Sequence, residues 1–264
     1  MSKFREVAGQ VAVITGAARG IGYGAAEALA KEGIHVVLAD LLPEVHESWN
    51  KIKAQCPENE GFAMEVDVTK EDQVKALMDA VVKKFGRIDI LYSNAGINGG
   101  EWAVTDLTEA LIDKVFNVNL KGMAFCFKHA AIQMKKQCSG TIVATGSWYG
   151  KVGHANSGLY GSSKAAVHTL VQALAMEMAP YGVNVNAVCP ALADSEMHWA
   201  YVRKEAAETG VPFETLKANE LKGIPMGRLG TGADSAGCIM WLASESGKYC
   251  TGQLINVNGG MDFS

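Results

Sequence analysis

The sequence contains no apolar run near the roughly 20 residues that a helix needs to cross a bilayer. Residues 1–10 lack the apolar core of a secretory signal peptide. Long basic runs are absent and the net charge is −4, which disfavours nucleic acid as a main partner. We therefore expect a cytoplasmic protein with neither a membrane nor a nucleic acid as its partner.

Cysteine is sparse and shows no disulfide or metal-binding pattern. The six cysteines are scattered, with no C-x-x-C pair, and the six histidines are isolated. We expect reduced thiols and no metal site. Internal repeats, low-complexity segments and linkers are absent as well. With 48% apolar and 20% charged residues, the composition predicts one globular domain over residues 1–264.

Strand-like and helix-like segments alternate along the chain. Short apolar segments predict strands at Val11–Thr15, His35–Ala39, Gly61–Val66, Ile88–Ser93, Gly140–Thr145, Val183–Cys189 and Gln253–Val257. Helices are predicted at Gly20–Lys31, Glu44–Cys56, Glu71–Phe85, Thr108–Met134, Ser157–Ala179 and Ala233–Ala243. Apolar strands separated by helices are typical of a parallel sheet covered on both faces. The predicted fold is therefore α/β, a single-domain, doubly wound parallel sheet of the Rossmann type.

One long excursion, residues 194–223, separates the sixth predicted strand from the last helix. It holds His198, Trp199 and Tyr201, followed by a charged helical run at Arg203–Glu208. A long segment in this place is interpreted as a substrate lid over the active site. The alternative is a surface excursion that only packs.

A strand, a glycine turn and a helix follow one another near the start of the chain. The segment Thr15–Gly22 reads T-G-A-A-R-G-I-G, in the layout that places a diphosphate at a helix N-terminus. The second strand is followed by Asp40, roughly 20 residues past the glycines, where a carboxylate accepts from adenosine ribose hydroxyls. The alternative for Asp40 is an N-cap of the helix that begins near Pro43.

Tyr160 and Lys164 stand four residues apart, and Ser147 lies upstream of them. If the following segment is helical, this spacing puts the phenol and the ammonium on one face of a helix. A free tyrosine has a pKa of about 10, and a nearby positive charge lowers it. A hydroxyl such as that of Ser147 then holds a substrate oxygen against the phenol. The group is interpreted as a device that handles a proton.

From Gly9 to Gly260 the chain closely resembles the short-chain dehydrogenase/reductase family. The motifs that carry the resemblance occur in one order: Thr15–Gly22, Asp67-Val68, Asn94-Ala95-Gly96, Asn119, Ser147 and Tyr160–Lys164, with a Pro190 turn after them. Several motifs in one order are far more specific than any one alone. Three positions depart from the family pattern, namely Ser93 before Asn94, Gly146 before Ser147 and Ala191 after Pro190.

The resemblance implies a role for each motif residue. It implies a catalytic tetrad of Asn119, Ser147, Tyr160 and Lys164, in which Tyr160 is the acid/base, Lys164 lowers its pKa and Ser147 orients the substrate oxygen. Asn119 would interrupt a long helix and hold a water; a plain polar helix residue is the alternative. The implied cofactor-binding residues are Gly16, Arg19, Gly20, Ile21, Gly22, Asp40, Asp67, Val68, Asn94, Gly96, Tyr160, Lys164, Pro190, Leu192 and Ser195. Asp67 is expected at the adenine amino group, and an N-cap of the next helix is an equal interpretation.

The expected cofactor is NAD, because the Asp40 carboxylate would repel the extra phosphate of NADP. Arg19 complicates this expectation, since a basic residue in the glycine turn often accompanies NADP. A carboxylate that faces a phosphate costs more than a mobile arginine gains, so Asp40 is expected to decide the preference.

The substrate is less closely defined than the reaction. The segment 150–158, Lys248–Gln253 and Thr209–Pro212 look like parts of sorbitol-6-phosphate, polyol and acetoin or butanediol dehydrogenases. This favours a polyol, a polyol phosphate or a vicinal diol, and Lys151, His154 and Asn156 are candidates to bind hydroxyls or a phosphate. An ordinary polar loop is an equal interpretation. The runner-up substrate is a hydroxysteroid or other bulky secondary alcohol, held by Trp148, Tyr149, Met197 and Trp199.

Two further expectations concern activity and assembly. A non-catalytic NAD-binding protein is the alternative from a different class, but such proteins usually lack the tyrosine or the lysine. The family resemblance also implies a homotetramer or a dimer. In either assembly the helices Thr108–Met134 and Ser157–Ala179 would pair across subunits.

Overall fold

Seven short strands form one parallel sheet in the order β3-β2-β1-β4-β5-β6-β7. They are β1 (Val11–Thr15), β2 (His35–Asp40), β3 (Phe62–Glu65), β4 (Ile90–Ser93), β5 (Gly140–Thr145), β6 (Val183–Pro190) and β7 (Leu254–Val257). This computed structural model describes residues 5–264, without the side chains of Arg5 and Met197. Residues 1–4, part of the segment that we expect to lack a signal peptide, therefore lie outside the described residues. The same holds for the Met197 side chain, which we expect to line an apolar pocket.

The helices cover both faces of the sheet. They are α1 (Gly20–Lys31), α2 (Val45–Gln55), α3 (Glu71–Phe85), α4 (Glu109–Phe116), α5 (Met123–Gln137), α6 (Gly158–Met178), α7 (Glu196–Thr209), α8 (Phe213–Gly223) and α9 (Gly232–Ala243). Strand β1 shows how both faces of the sheet are buried, because successive side chains of a strand point to opposite sides of the sheet. Val11 and Val13 join the core under α3, α5 and α6, whereas Ala12 and Ile14 join the core under α1, α2 and α9.

The order of the strands reverses beside β1, since β2 lies on one side of it and β4 on the other. At such a switch point the connections leave in opposite directions, and a crevice opens at the carboxyl ends of the strands. The predicted doubly wound α/β fold is confirmed. Within residues 5–264, no helix has both the length and the apolarity that a bilayer crossing requires.

Two predicted segments differ from the structure. The helix predicted over Thr108–Met134 consists of α4, a π-helical stretch at Asn117–Gly122 and α5. The lid segment holds two helices, α7 and α8, where only Arg203–Glu208 was predicted helical. The hydroxyl of Ser195 accepts from the His198 N–H and caps α7, and Gly210 ends α7 with a φ of 71°. Ser195 and Gly210 thus set the ends of α7, whereas the N-cap of α8 is Pro212, which makes no side-chain capping bond.

Candidate active site

Residues at the carboxyl ends of β1, β4 and β5 are tied together by one side chain, Asn94. Its amide nitrogen donates to the carbonyls of Thr15 (3.1 Å) and Gly16 (3.0 Å), and its side-chain oxygen accepts from Thr145 Oγ1 (2.9 Å). A β-carbon at Gly22 would lie 2.6 Å from the same amide nitrogen. Asn94 thus lies between the glycine turn and the end of β5.

The glycine turn leaves the start of α1 open to an anion. Gly16 and Gly20 have φ values of 65° and 59°, and a β-carbon at Gly22 would lie 2.1 Å from the Gly16 carbonyl oxygen. Arg19 makes no side-chain capping bond, and the first turn of α1, which includes Ile21, holds no acidic residue. The positive end of a helix dipole without a capping side chain fits the diphosphate of a dinucleotide.

Two acidic residues stand at the neighbouring strand ends. Asp40 Oδ2 accepts from the Ala18 N–H (2.9 Å) and Oδ1 accepts from the Leu42 N–H (3.0 Å), so the carboxylate lies against the glycine turn. It does not cap α2, whose N-cap is Glu44. Asp67 Oδ1 accepts from the backbone and the hydroxyl of Thr69 (2.9 and 2.7 Å). The N-cap of α3 is Lys70, so the N-cap interpretation of Asp67 is wrong.

Tyr160 and Lys164 lie in the first two turns of α6. The Lys164 ammonium donates to the Thr145 carbonyl (2.8 Å) and lies 5.7 Å from the centre of the Tyr160 ring. The side chain is almost wholly buried, and burial lowers the pKa of Lys164 to about 8. The carbonyl bond fixes the ammonium beneath the phenol at the end of β5.

Ser147 follows β5 and starts the 3-10 turn Trp148–Gly150. Its Oγ accepts from the Tyr149 N–H (3.1 Å), and the hydroxyl also forms a hydrogen bond with Tyr160. Burial raises the pKa of Tyr160 to about 12, and the bond with Ser147 offsets only part of that rise. The resemblance implies that Lys164 lowers this pKa. Burial is the largest cause of the shift, and the Lys164 ammonium, 5.7 Å from the ring centre, is not among the groups that lower this pKa.

The π-helical stretch positions the buried side chain of Asn119. Its oxygen accepts from the Ile97 N–H (2.8 Å), and its amide nitrogen donates to the Ile97 carbonyl (2.9 Å) and to Ser163 Oγ (3.0 Å). A β-carbon at Gly96 would lie 3.3 Å from the Asn119 oxygen and 3.6 Å from the Lys164 ammonium. Asn119 therefore ties α6 to the loop after β4. It interrupts the long helix as expected, because the π stretch turns its amide inward.

The other expected cofactor contacts surround the same crevice. Val68 packs on the π stretch, where a β-carbon at Gly122 would lie 2.7 Å from its methyl group. Pro190 ends β6, and the Leu192 carbonyl accepts from the Gly230 N–H (3.0 Å). The β-carbon of Ser195 lies 3.5 Å from the position that a Gly20 β-carbon would take. Ser195 is therefore close to the glycine turn, where the diphosphate fits.

The loop between Ser147 and Tyr160 carries a cluster of rings. Tyr149 stacks on His154 with 4.0 Å between ring centres, Trp148 lies 4.6 Å from His154, and Tyr149 meets Tyr160 edge-on at 6.3 Å. Of the four residues expected to line an apolar pocket, Trp148 and Tyr149 are in this cluster. Trp199 instead donates to Asp194 (2.7 Å) and packs on Phe213 of α8.

The Lys151 ammonium is bonded at β7, a placement that agrees with the ordinary polar loop given as the equal interpretation. Its ammonium donates to the Leu254 carbonyl (3.1 Å) and Asn256 Oδ1 (2.7 Å) at β7. His154 stacks on Tyr149, and Asn156 accepts from the Trp102 N–H through its backbone at a φ of 61°. The loop therefore presents rings, and no ammonium, to Tyr160.

One buried residue of the site, His168, has no counterpart in the sequence expectations. It lies on α6 one turn beyond Lys164 and is 5% exposed. The i, i+4, i+8 spacing from Tyr160 through Lys164 to His168 is the signal that could have found it. Its Nε2 accepts from the Ser147 N–H at 3.3 Å.

Comparison with known proteins gives matches across nearly the whole chain. A family model described as enoyl-(acyl carrier protein) reductase matches residues 16–262. Galactitol 2-dehydrogenase from Agrobacterium fabrum is 37% identical over 95% of this chain and 96% of its own length. The 3-oxoacyl-(acyl-carrier-protein) reductase FabG from Staphylococcus aureus is 37% identical over 95% and 97%. The cis-4-hydroxycyclohexanecarboxylate dehydrogenase from Sinomonas cyclohexanicum is 35% identical over 95% and 96%.

Solved structures agree with these relatives. Levodione reductase superposes with a TM-score of 0.90 at 29% identity, over 96% of this chain and 97% of that one. ElxO with NADP bound superposes with a TM-score of 0.84 at 33% identity, over 96% and 98%. The similar proteins thus share the fold and include enzymes named for polyol, cyclic and acyl-carrier-protein substrates.

Proposed function

The chain belongs to the short-chain dehydrogenase/reductase family and is an oxidoreductase of alcohols or ketones, and on that premise we propose that it is an NAD-dependent dehydrogenase of an uncharged polyol or vicinal diol. The observation that carries the proposal is the meeting of Tyr160, Ser147 and Lys164 at the end of β5, beside the open glycine turn.

Each member of the group handles a different part of the proton's path. In oxidation the Tyr160 oxygen takes the proton from the substrate hydroxyl, and in reduction it returns that proton to the carbonyl oxygen. The Ser147 hydroxyl donates to the substrate oxygen and holds it against the phenol. Asn119 fixes the helix that bears both Tyr160 and Lys164. A bound nicotinamide supplies the hydride acceptor or donor.

We expect alcohol oxidation to speed up between about pH 7 and about pH 10, because Tyr160 must be a phenolate before it can accept a proton. With a pKa near 12, the phenolate fraction grows about tenfold for each pH unit in this range. Ketone reduction uses the neutral phenol, so its rate should vary little with pH over this range. Values of kcat/KM in both directions test this, and an oxidation rate that falls over the range would contradict it.

The preference for NAD rests on Asp40. Its carboxylate is held against the glycine turn by the Ala18 N–H, and a phosphate on the adenosine ribose would meet a like charge. We expect Asp40→Asn to raise the NADP-to-NAD ratio of kcat/KM by about 100-fold, which corresponds to about 2.8 kcal/mol. Asparagine keeps an oxygen that can accept from Ala18.

Asp67→Asn is the matched control for Asp40→Asn. Asp67 lies at the end of the next strand, and its expected contact is with the adenine, which NAD and NADP share. In Asp67→Asn, the kcat/KM values with NAD and with NADP should change in parallel, so the NADP-to-NAD ratio should stay at its wild-type value. A wild-type protein as efficient with NADP as with NAD would overturn the preference.

Similarity to galactitol 2-dehydrogenase supports a polyol, and the charges near the site support an uncharged one. The Lys151 ammonium is bonded at β7. Burial is the largest cause that raises the pKa of Tyr149. The carboxylates of Glu101 and Glu220 raise it further, so both carboxylates lie near the Tyr149 ring. Glu220 belongs to α8, which supports the interpretation of residues 194–223 as a lid. A phosphate ester would meet these carboxylates, and that disfavours the polyol phosphate.

A panel of alcohols tests the substrate class. Galactitol, sorbitol and 2,3-butanediol are expected to reduce NAD, and sorbitol 6-phosphate is expected to react more slowly than sorbitol. Cyclic secondary alcohols form the second arm, because the Trp148, Tyr149 and His154 rings beside Tyr160 can also hold a bulky ring. Activity with cyclic alcohols alone would replace the polyol proposal by this second candidate. No activity with any alcohol or ketone would favour a non-catalytic dinucleotide-binding protein.

The proposed assembly is a homotetramer in the cytoplasm. Helices α5 and α6 form an apolar groove lined by Phe127, Ala131 and Leu174, and Ile132 and Met176 on the same helices are 47% and 74% exposed. Such a face favours self-association by two-fold symmetry. All six cysteines are free thiols, which supports a reducing compartment.

A further inference from the structure

His168 shares a helix face with the two proposed catalytic residues of α6. Tyr160, Lys164 and His168 are separated by steps of four residues, so their side chains follow one another along the helix. The imidazole is buried and packs on the turn that carries Ser147. No step proposed above uses it.

The imidazole contacts both ends of the Ser147 turn. Its Nε2 accepts from the Ser147 N–H (3.3 Å), and its ring also bonds the backbone of Gly150. Because Nε2 accepts a hydrogen bond, the proton of the neutral ring is assigned to Nδ1, which donates to Gly150. One rigid ring thus spans the segment from Ser147 to Gly150.

Two glycines make room for this ring. A β-carbon at Gly146 would lie 2.6 Å from His168 Nε2 and 2.9 Å from Cys189 Sγ, and one at Gly150 would lie 2.7 Å from His168 Cε1. Gly146 is the position at which the family pattern has a second serine. In this chain the space that a serine needs is filled by the imidazole and the Cys189 thiol, so Gly146 and His168 go together.

The ring is neutral under ordinary conditions, as an acceptor at Nε2 requires. The pKa of His168 is lowered to about 4. Burial is the largest cause, the nearby ammonium groups of Lys151 and Lys164 add to it, and the bond to Gly150 opposes it. Cys189 Sγ lies 3.6 Å from Nε2, and burial raises the pKa of that thiol to about 11, so it too is uncharged.

We propose that His168 is a positioning residue that fixes the Ser147 turn and, through it, the hydroxyl that holds the substrate oxygen. The inference rests on the role proposed for Ser147. A buried backbone N–H needs an acceptor, so loss of the imidazole nitrogen forces the Ser147 N–H to find another partner and moves the turn. The hydroxyl moves with the backbone, whereas the glycine turn, on the far side of Asn94, does not.

Two substitutions of His168 separate its hydrogen bond from its bulk. His168→Leu fills the space between Gly146 and Gly150 without an acceptor, and His168→Gln keeps an acceptor near the Nε2 position. We expect His168→Leu to lower kcat by about 10- to 100-fold, since a misplacement of about 1 Å can cost that much. His168→Gln should recover most of the lost rate. The affinity for NAD should be unchanged in both variants.

Hydrogen exchange at Ser147 gives a readout that does not depend on turnover. The Ser147 amide should lose protection in His168→Leu and regain it in His168→Gln, whatever the substrate is. Thr169→Val is the control, because Thr169 is an exposed neighbour whose hydroxyl bonds only its own helix, at the Ala165 carbonyl (3.4 Å).

The outcomes keep the two proposals apart. Wild-type kcat and wild-type Ser147 protection in His168→Leu would overturn the positioning role. The positioning role would also be overturned if His168→Gln had no higher rate and no better Ser147 protection than His168→Leu, together with a lowered affinity for NAD. That pattern would indicate general destabilisation. If the wild-type protein turns over no alcohol or ketone, the proposed function fails. The exchange pattern of the two variants still decides whether His168 fixes the turn.

Discussion

Replacing Tyr160 by phenylalanine is expected to lower kcat/KM by about 10³-fold in both directions, within the range of general acid–base catalysis. The variant keeps the ring and its edge-on contact with Tyr149, but removes the hydroxyl proposed to exchange a proton with the substrate. The substitution also removes the hydrogen bond between the Tyr160 and Ser147 hydroxyls, and the substrate oxygen would take the place of the Tyr160 hydroxyl as the partner of Ser147. Stability and the affinity for NAD should therefore change little.

Tyr181→Phe is the matched control for this substitution. Tyr181 lies just beyond the last turn of α6, at the opposite end of the helix from Tyr160. Its hydroxyl is remote from the crevice, so its loss should leave the rate unaltered. Turnover by Tyr160→Phe within a few-fold of wild type would mean that another group carries the proton, or that the measured reaction is not this one.

Ser147→Ala is expected to lower kcat by about 10²- to 10³-fold, the loss typical of removing one preorganised donor to a developing charge. The hydroxyl stands between the phenol and the turn, where it can bond a substrate oxygen. Its structural contribution is the bond accepted from the Tyr149 N–H (3.1 Å) and the bond with the Tyr160 hydroxyl, so the fold should persist. Single-turnover rates of reduction measure the chemical step without product release.

Ser157→Ala provides the comparison at the other end of the same loop. Ser157 is buried at the start of α6, and its side chain makes no capping bond. Its removal should change the rate by far less than removal of the Ser147 hydroxyl. Equal losses in both variants would assign the effect to the loop as a whole and remove the special role of Ser147.

The sequence was sufficient for the elements that local pattern controls. Strand β1, the glycine turn and α1 follow from a short apolar run, glycines that must adopt positive φ, and a helical segment after them. The meeting of Asn94, Ser147 and Asp40 at one edge follows from the fold, because parallel strands end on the same side of the sheet. These predictions needed no information on side-chain direction.

Side-chain direction is where the sequence was not sufficient. Lys151 sits in a polar loop near Tyr160, yet its ammonium reaches the carbonyl of Leu254, a residue about a hundred positions away. The pKa of Tyr160 shows the same limit. The spacing to Lys164 predicts that the two groups share a helix face, but it does not predict that burial raises the pKa of the phenol. Helix α8 was missed, and α7 was predicted only over Arg203–Glu208. His198 of α7 pairs with Glu220 of α8 (2.8 Å), a contact between two segments that the pattern within either one does not show.

We propose that this crevice transfers hydride between a carbinol carbon and NAD while Tyr160 moves the proton. The direct measurement uses an alcohol that the wild-type protein oxidises, carrying deuterium at the carbinol carbon, with mass analysis of the NADH formed. We expect one deuterium in NADH for each ketone produced, and about 10³-fold less NADH and ketone from Tyr160→Phe. Ketone formed with unlabelled NADH, or deuterium lost to solvent, would contradict it.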